Sequence, residues 1–111
     1  MPFIKRLSPQ DAHDKVQDGK ALLICAYDSD EKFSQMALDG AISFDEYRSM
    51  QPTLPRNKEL IFYCACPKEA SAVEQAAHAK RSGFQDVEVV AGGVEAWEDA
   101  GLPSVTIAAF I

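Results

Sequence analysis

Basic residues are scarce in this sequence. Of its 111 residues, 11 are Lys or Arg and 17 are Asp or Glu, which gives a formal net charge of -6. A surface with this excess of negative charge repels the phosphates of nucleic acids and the headgroups of anionic lipids. We therefore expect neither nucleic acid nor an anionic membrane among the partners, which leaves proteins and small molecules.

Long apolar stretches are also missing. A helix needs about 20 consecutive apolar residues to span a bilayer, and no segment of the chain reaches that length. Residues 1–6 lack the apolar region and the small-residue cleavage site of a secretory signal. The apolar segment 105–111 is too short to span a membrane, and we expect it to pack on the domain or on a partner.

Cysteine is limited to three residues, Cys25, Cys64 and Cys66. An odd number of cysteines without a recurring spacing does not build a disulfide framework, and free thiols persist in reducing compartments. The sequence therefore predicts a cytoplasmic protein. Its hydrophobic share of 47% and charged share of 25% are those of a globular chain, and 111 residues suffice for one domain, 1–111, but not for two.

Apolar runs of strand length alternate with helical patterns along the chain. We predict strands at 21–26, 40–42, 60–64 and 87–90, a loop at 28–32, a helical turn at 33–38 and a connecting loop at 51–58. Helices are predicted to follow Ser8, Ser43 and Ser71, each a candidate N-cap, and to cover 94–100. This alternation predicts an α/β fold with a mainly parallel central sheet flanked by helices, whose functional groups gather at the carboxyl ends of the strands.

The strand at 60–63 runs directly into Cys64, and an alanine-rich helical pattern begins a few residues later. A thiolate beside a helix N-terminus is stabilised by unpaired backbone N–H groups and by the positive end of the helix dipole. The same groups attract an anionic sulfur substrate. The arrangement therefore predicts cysteine chemistry, with sulfur transfer as the favoured reaction.

Several motifs follow this cysteine in a characteristic order, and together they resemble the rhodanese family. The shared features are Tyr63-Cys64, the loop, Ser71 opening a helix, Gly83-Phe84, the 87–90 strand, Gly92-Gly93-Val94-Glu95-Ala96-Trp97 and Gly101-Leu102-Pro103. More loosely, Leu7-Ser8-Pro9, the 22–24 strand and Gly40-Ala41-Ile42 fit the same layout, so the resemblance spans about residues 7–103. The loop Cys-Ala-Cys-Pro-Lys-Glu-Ala-Ser is similar to a variant seen in bacterial single-domain members.

The resemblance implies a rhodanese-like sulfurtransferase with Cys64 as the catalytic nucleophile. Cys64 would take a sulfane sulfur from a small donor or a protein persulfide and pass it, as a persulfide, to a thiol acceptor. No metal or organic cofactor is implied. The residues implied to form the substrate-binding loop are Ala65, Cys66, Pro67, Lys68, Glu69, Ala70 and Ser71.

Two departures from the family pattern concern charge. Where the family commonly has Asp-x-Arg after its second strand, this chain has Cys25-Ala26-Tyr27, and its loop has no arginine. Glu69 raises the pKa expected of a neighbouring thiol and opposes Lys68. We therefore expect thiosulfate, a dianion, to be a poor donor, and a neutral or protein-bound persulfide to be a better one.

Other candidate residues have simpler interpretations. Cys66 either resolves the persulfide on Cys64 or is a small loop residue without a role, and both interpretations stay open. Cys25 is predicted to be a buried packing residue. A metal site at Cys64 and Cys66 is disfavoured because no second pair of Cys or His ligands exists. His13 and His78 are predicted to be surface residues, and Trp97 a core anchor.

Two other classes of function compete with sulfur transfer. Dual-specificity phosphatases of similar scaffold need Cys-x5-Arg, so that a guanidinium can clamp the phosphoryl oxygens, but position 70 is Ala. A catalytically weak rhodanese-like module for protein interaction or redox sensing is the alternative, favoured by the missing charged residues and opposed by Cys64 at a strand end. A homodimer is left open.

Overall fold

The computed structural model describes residues 4–27, 30–35, 37–64 and 70–105. Its strands are β1 (Lys5–Leu7), β2 (Ala21–Cys25), β3 (Ala37–Leu38), β4 (Ala41–Ile42), β5 (Glu59–Tyr63), β6 (Val87–Val90) and β7 (Ser104–Val105). Its helices are α1 (Pro9–Gln17), α2 (Asp30–Gln35), α3 (Phe44–Met50), α4 (Ala70–Arg81) and α5 (Gly93–Asp99), and a 3-10 turn covers Gln51–Thr53.

Five strands form one parallel sheet in the order β1-β6-β5-β2-β4. All five carboxyl ends therefore meet at the same edge of the sheet. The predicted α/β class with a parallel central sheet is confirmed. A second sheet, formed by β3 and β7 as an antiparallel pair, was not predicted. No helix in the described part of the chain is long and apolar enough to cross a membrane.

The sheet has a hydrophobic core on each face, because successive side chains of a strand point to opposite sides. All five residues of β5 are buried. Phe62 belongs to the core that also contains Ala72 and Ala76 of α4. Tyr63 belongs to the other core, which contains Trp97 of α5. Burial on both faces explains why β2 and β5 appear in the sequence as continuous apolar runs.

Two of the three predicted serine caps are confirmed. The hydroxyl oxygen of Ser8 accepts a hydrogen bond from the Asp11 N–H at 3.1 Å, and that of Ser43 accepts one from the Glu46 N–H at 3.1 Å. The third prediction is wrong, because α4 already includes Ala70 and Ser71 lies inside the helix. Alanine at position 70 is a strong helix former and lets the helix begin before the serine.

Three further expectations are corrected by the structure. Residues 30–32, predicted as loop, form the first turn of α2. The helical turn predicted for 33–38 ends at Gln35, and Ala37–Leu38 form β3. Pairing of β3 with the distant β7 makes it a strand, which local propensity does not reveal. His13 is not a surface residue, because its side chain is only 17% exposed and its ring makes an edge contact with Trp97.

Candidate functional site

Cys64 lies at the carboxyl edge of the parallel sheet, immediately after β5, as predicted. Its exposed fraction is 0%. Two backbone hydrogen bonds fix this strand end: the Ala26 N–H donates to the Tyr63 carbonyl at 2.9 Å, and the Val94 N–H donates to the Cys64 carbonyl at 3.1 Å. The backbone of Cys64 is therefore held between the end of β2 and the first turn of α5.

The segment between Cys64 and α4 is where the sequence predicts the substrate-binding loop. Ala65, Cys66, Pro67, Lys68 and Glu69 lie outside the described residues. The two remaining predicted loop residues open α4, with Ala70 exposed and Ser71 half-buried. α4 begins six residues after Cys64, so a helix N-terminus with its free N–H groups and positive dipole end follows the thiol closely along the chain.

Cys25 is the neighbour of this site on β2, and its predicted burial is confirmed. In the sheet register it stands beside Tyr63. Burial raises the pKa of the Cys25 thiol, a rise that hydrogen bonds from the Tyr27 backbone and the Tyr63 hydroxyl partly offset, and the nearby charge of Cys64 raises it further. Cys25 is therefore a protonated packing residue next to the candidate nucleophile.

Tyr63 is a site neighbour that the sequence reasoning missed. Its side chain is fully buried, and its hydroxyl contacts the Cys25 thiol and the backbone of Leu38. Burial holds the pKa of Tyr63 well above its usual range, so the hydroxyl remains a hydrogen-bond donor. The sequence contains one clue to this contact: Tyr63 stands in an otherwise apolar strand, and a buried tyrosine hydroxyl needs a hydrogen-bond partner.

The start of α5 is the second contribution that the sequence reasoning missed. Gly92 and Gly93 have φ of 78° and 64°, the left-handed region that other residues rarely adopt. This turn aims the Val94 N–H at Cys64. Trp97, a confirmed core residue, anchors the same helix through a hydrogen bond from its Nε1 to the Pro103 carbonyl at 2.8 Å.

His78 is exposed, as predicted, and borders a cavity of about 290 Å³ between α3 and α4. The other residues around this cavity are Phe44, Tyr47, Arg48, Gln51 and Gln75. The cavity lies along the flank of α4, and Cys64 is not among its lining residues. His78 is therefore not placed as a base for the thiol.

Comparisons with known proteins agree with this geometry. The family model described as "Rhodanese-like domain" matches residues 8–100. The chain is 31% identical over 102 residues to the thiosulfate sulfurtransferase GlpE of Actinobacillus succinogenes, covering 90% of this chain and 89% of that protein.

Two solved structures show the same fold. The rhodanese-like domain of the Anabaena protein Alr3790 superposes with a TM-score of 0.76 at 16% identity, covering 98% of this chain and 85% of that one. RPA3614 of Rhodopseudomonas palustris, a protein of unknown function described as a possible tyrosine phosphatase, has a TM-score of 0.68 at 25% identity, covering 91% and 84% of the two chains.

Proposed function

Since the chain belongs to the rhodanese-like domain family, we propose that it is a sulfurtransferase whose Cys64 carries a sulfane sulfur as a persulfide. The position of Cys64 is the observation that supports this most. Cys64 follows the central parallel strand β5 at its carboxyl end and precedes the N-terminus of α4. A helix N-terminus stabilises a sulfur anion beside it.

The proposed reaction has two displacement steps. In the first, the Cys64 thiolate attacks the outer sulfur of the donor, a new S–S bond forms, and the donor's bond to that sulfur breaks, so that the leaving group departs with the electron pair. In the second, an acceptor thiolate attacks the outer sulfur of the persulfide, and Cys64 departs as a thiolate. The backbone N–H groups of the loop and of α4 stabilise the persulfide anion, and the reaction requires no cofactor.

Access to the sulfur is part of this proposal. The exposed fraction of Cys64 is 0%, whereas a displacement needs the donor sulfur in line with the attacking thiolate. A donor delivered by a protein partner suits a buried sulfur, because contacts away from the sulfur can supply the free energy needed to expose it.

The charge of the loop favours donors other than thiosulfate. Glu69 is separated from Cys64 by a few residues, and Lys68 is the cation of the loop. A carboxylate at this distance repels a dianion and raises the free energy of its encounter with the thiolate. Replacing Glu69 by Gln should therefore raise the second-order rate of loading from thiosulfate, measured by rapid quench and mass spectrometry.

Glu74→Gln is the matched control, because Glu74 is an exposed carboxylate farther along α4. It should leave the loading rate nearly unchanged. Equal rates in the wild type and Glu69→Gln would show that the charge of Glu69 does not select the donor.

Cys66 is proposed to assist the release of the sulfur, since Cys64 alone occupies the strand end. In single-turnover experiments, Cys66→Ser should load sulfur normally and discharge it to a thiol acceptor more slowly. Unchanged discharge would leave Cys66 as a loop residue without a role. A strained Cys64–Cys66 disulfide, if formed, would be reduced easily.

An alternative is a catalytically weak module that binds proteins or senses oxidants. The full burial of Cys64 and the uncharged Cys25-Ala26-Tyr27 segment favour it. We do not propose phosphatase activity, because the arginine that would clamp a phosphoryl group is replaced by Ala70. Residence in the cytoplasm, action as a single domain over 1–111 and a homodimeric state remain proposals.

The deciding experiment exposes the reduced protein to a donor panel: thiosulfate, an inorganic polysulfide, a low-molecular-weight persulfide and a persulfidated protein. Intact mass spectrometry should show the gain of one sulfur atom in the wild type and none at this position in Cys64→Ser. If no donor loads Cys64 while Cys64→Ser still binds the protein's cellular partners, the module interpretation replaces sulfur transfer.

A further inference from the structure

Three carboxylates gather at the edge of the sheet opposite to Cys64. Glu59 opens β5, Asp86 immediately precedes β6, and Glu88 is the second residue of β6. Parallel pairing of β5 with β6 aligns these positions, and the Leu60 N–H donates to the Asp86 carbonyl at 2.9 Å. One carboxylate oxygen of each lies within 4.8 Å of the others.

Two of these three carboxylates are buried. Glu59 and Glu88 are 8% and 3% exposed, and the Lys15 Nζ donates a hydrogen bond to a Glu59 oxygen at 2.8 Å. Lys5 of β1 stands beside Glu88 in the sheet register. Burying a carboxylate without a compensating charge is strongly unfavourable.

Glu88 carries the second, independent observation. Its Oε1 is buried and has no hydrogen-bond partner among the described residues. Buried polar atoms are almost always satisfied, so this oxygen needs a partner such as a water molecule or an ion.

We propose that Glu59, Asp86 and Glu88 form a binding site for Ca²⁺. Carboxylate oxygens are the ligands that hard divalent cations prefer. Ca²⁺ accepts irregular oxygen geometry, whereas Mg²⁺ requires a near-ideal octahedron. All three oxygens lie within 4.8 Å of one another, close enough to ligate one ion.

The site is also reachable from solvent. Asp86 is exposed, whereas Glu88 lies in the sheet and Glu59 at its edge. An ion can therefore enter from the side of Asp86 and keep water molecules there, which completes the six to eight oxygen ligands of Ca²⁺. The ammonium of Lys15 competes with the ion for Glu59.

Isothermal titration of the metal-free full chain with CaCl₂ tests the proposal. One saturable site is expected, with weaker binding of Mg²⁺. Glu88→Gln and Asp86→Asn should each weaken binding by about tenfold or more, and circular dichroism should confirm that both variants are folded. Asp86→Asn changes an exposed residue, so its folding is not at risk.

Two further variants distinguish a specific Ca²⁺ site from the general attraction of a cation to an acidic protein. Glu98→Gln removes one charge from an exposed position on α5 and should leave Ca²⁺ affinity unchanged. Lys15→Gln removes the competing ammonium and should tighten binding. Any of three results would overturn the proposal: no saturable binding at millimolar Ca²⁺, tighter binding of Mg²⁺ than of Ca²⁺, or the same loss of Ca²⁺ affinity in Glu98→Gln as in the Glu88 and Asp86 variants. If no Ca²⁺ binds, the Glu88 carboxyl holds only a proton.

Discussion

Gly92 is the position where one added methyl group should disturb both stability and the candidate site. It has φ of 78°, and a Cβ built there would lie 2.6 Å from the Ala96 Cβ, well inside the 3.4–4 Å of ordinary contact. The left-handed conformation costs a residue with a Cβ about 1–2 kcal/mol. Overpacking of this kind costs about 1–3 kcal/mol more.

We therefore expect Gly92→Ala to lower the free energy of unfolding by about 2–5 kcal/mol. For a domain of this size, each kcal/mol lowers Tm by about 4 °C. Urea and thermal unfolding followed by circular dichroism measure both quantities. Because Val94 donates to the Cys64 carbonyl from the same turn, the rate of persulfide loading on Cys64 should fall as well.

Gly101→Ala is the matched control, since Gly101 has φ of 77° at the other end of the same helix and nothing within 4 Å of its Cβ position. It should cost only the conformational part, about 1–2 kcal/mol. Adding Ala96→Gly to Gly92→Ala removes the clashing methyl group and should show a favourable coupling of about 1–3 kcal/mol. Equal destabilisation by Gly92→Ala and Gly101→Ala, or no coupling, would refute the packing argument.

Three other predictions concern the core and the caps. Iodoacetamide should label Cys25 only after unfolding, because the thiol is 0% exposed and burial raises its pKa. Peptide mapping of the labelled protein checks this, and rapid labelling of Cys25 in the native protein would contradict it. Trp97→Phe should lower the free energy of unfolding by about 1–3 kcal/mol, because it removes the hydrogen bond to Pro103 and leaves a cavity; an unchanged urea midpoint would oppose this reasoning. Ser8→Ala and Ser43→Ala should each lower the free energy of unfolding by about 1 kcal/mol. Urea unfolding tests the caps, because Thr at either position keeps a capping hydroxyl and should unfold at a midpoint closer to that of the wild type.

The elements that the sequence predicts correctly are those with a local cause. β2 and β5 are continuous apolar runs because both of their faces are buried. The starts of α1 and α3 are visible because Ser8 and Ser43 each cap an N–H three residues ahead. The position of Cys64 also follows locally, since the strand ends where its apolar run ends.

What sequence reasoning missed depends on contacts between distant segments. β3 exists because Ala37–Leu38 pairs with Ser104–Val105. His13 is half-buried because it contacts Trp97, which lies on α5, far along the chain. Likewise, the contact between Tyr63 and Cys25 requires the register of β5 against β2, which no local pattern reveals.

The acidic cluster is a different case, because part of its signal was present in the sequence. Glu88 interrupts the apolar strand Val87–Val90, and a charge inside a buried strand needs a partner. Its companions could not be identified in advance, since Glu59 and Asp86 come beside it only through the pairing of β5 with β6.

The central claim is that Cys64 carries the sulfur. The most direct measurement is peptide mapping of the native wild-type protein after brief exposure to a persulfide donor and trapping of the persulfide with an alkylating agent. The account predicts one additional sulfur on the peptide at Cys64 and its transfer to an added thiol with return of the unmodified cysteine. A persulfide found on Cys66 or Cys25 with Cys64 unmodified, or full loading of the Cys64→Ser variant, would contradict it.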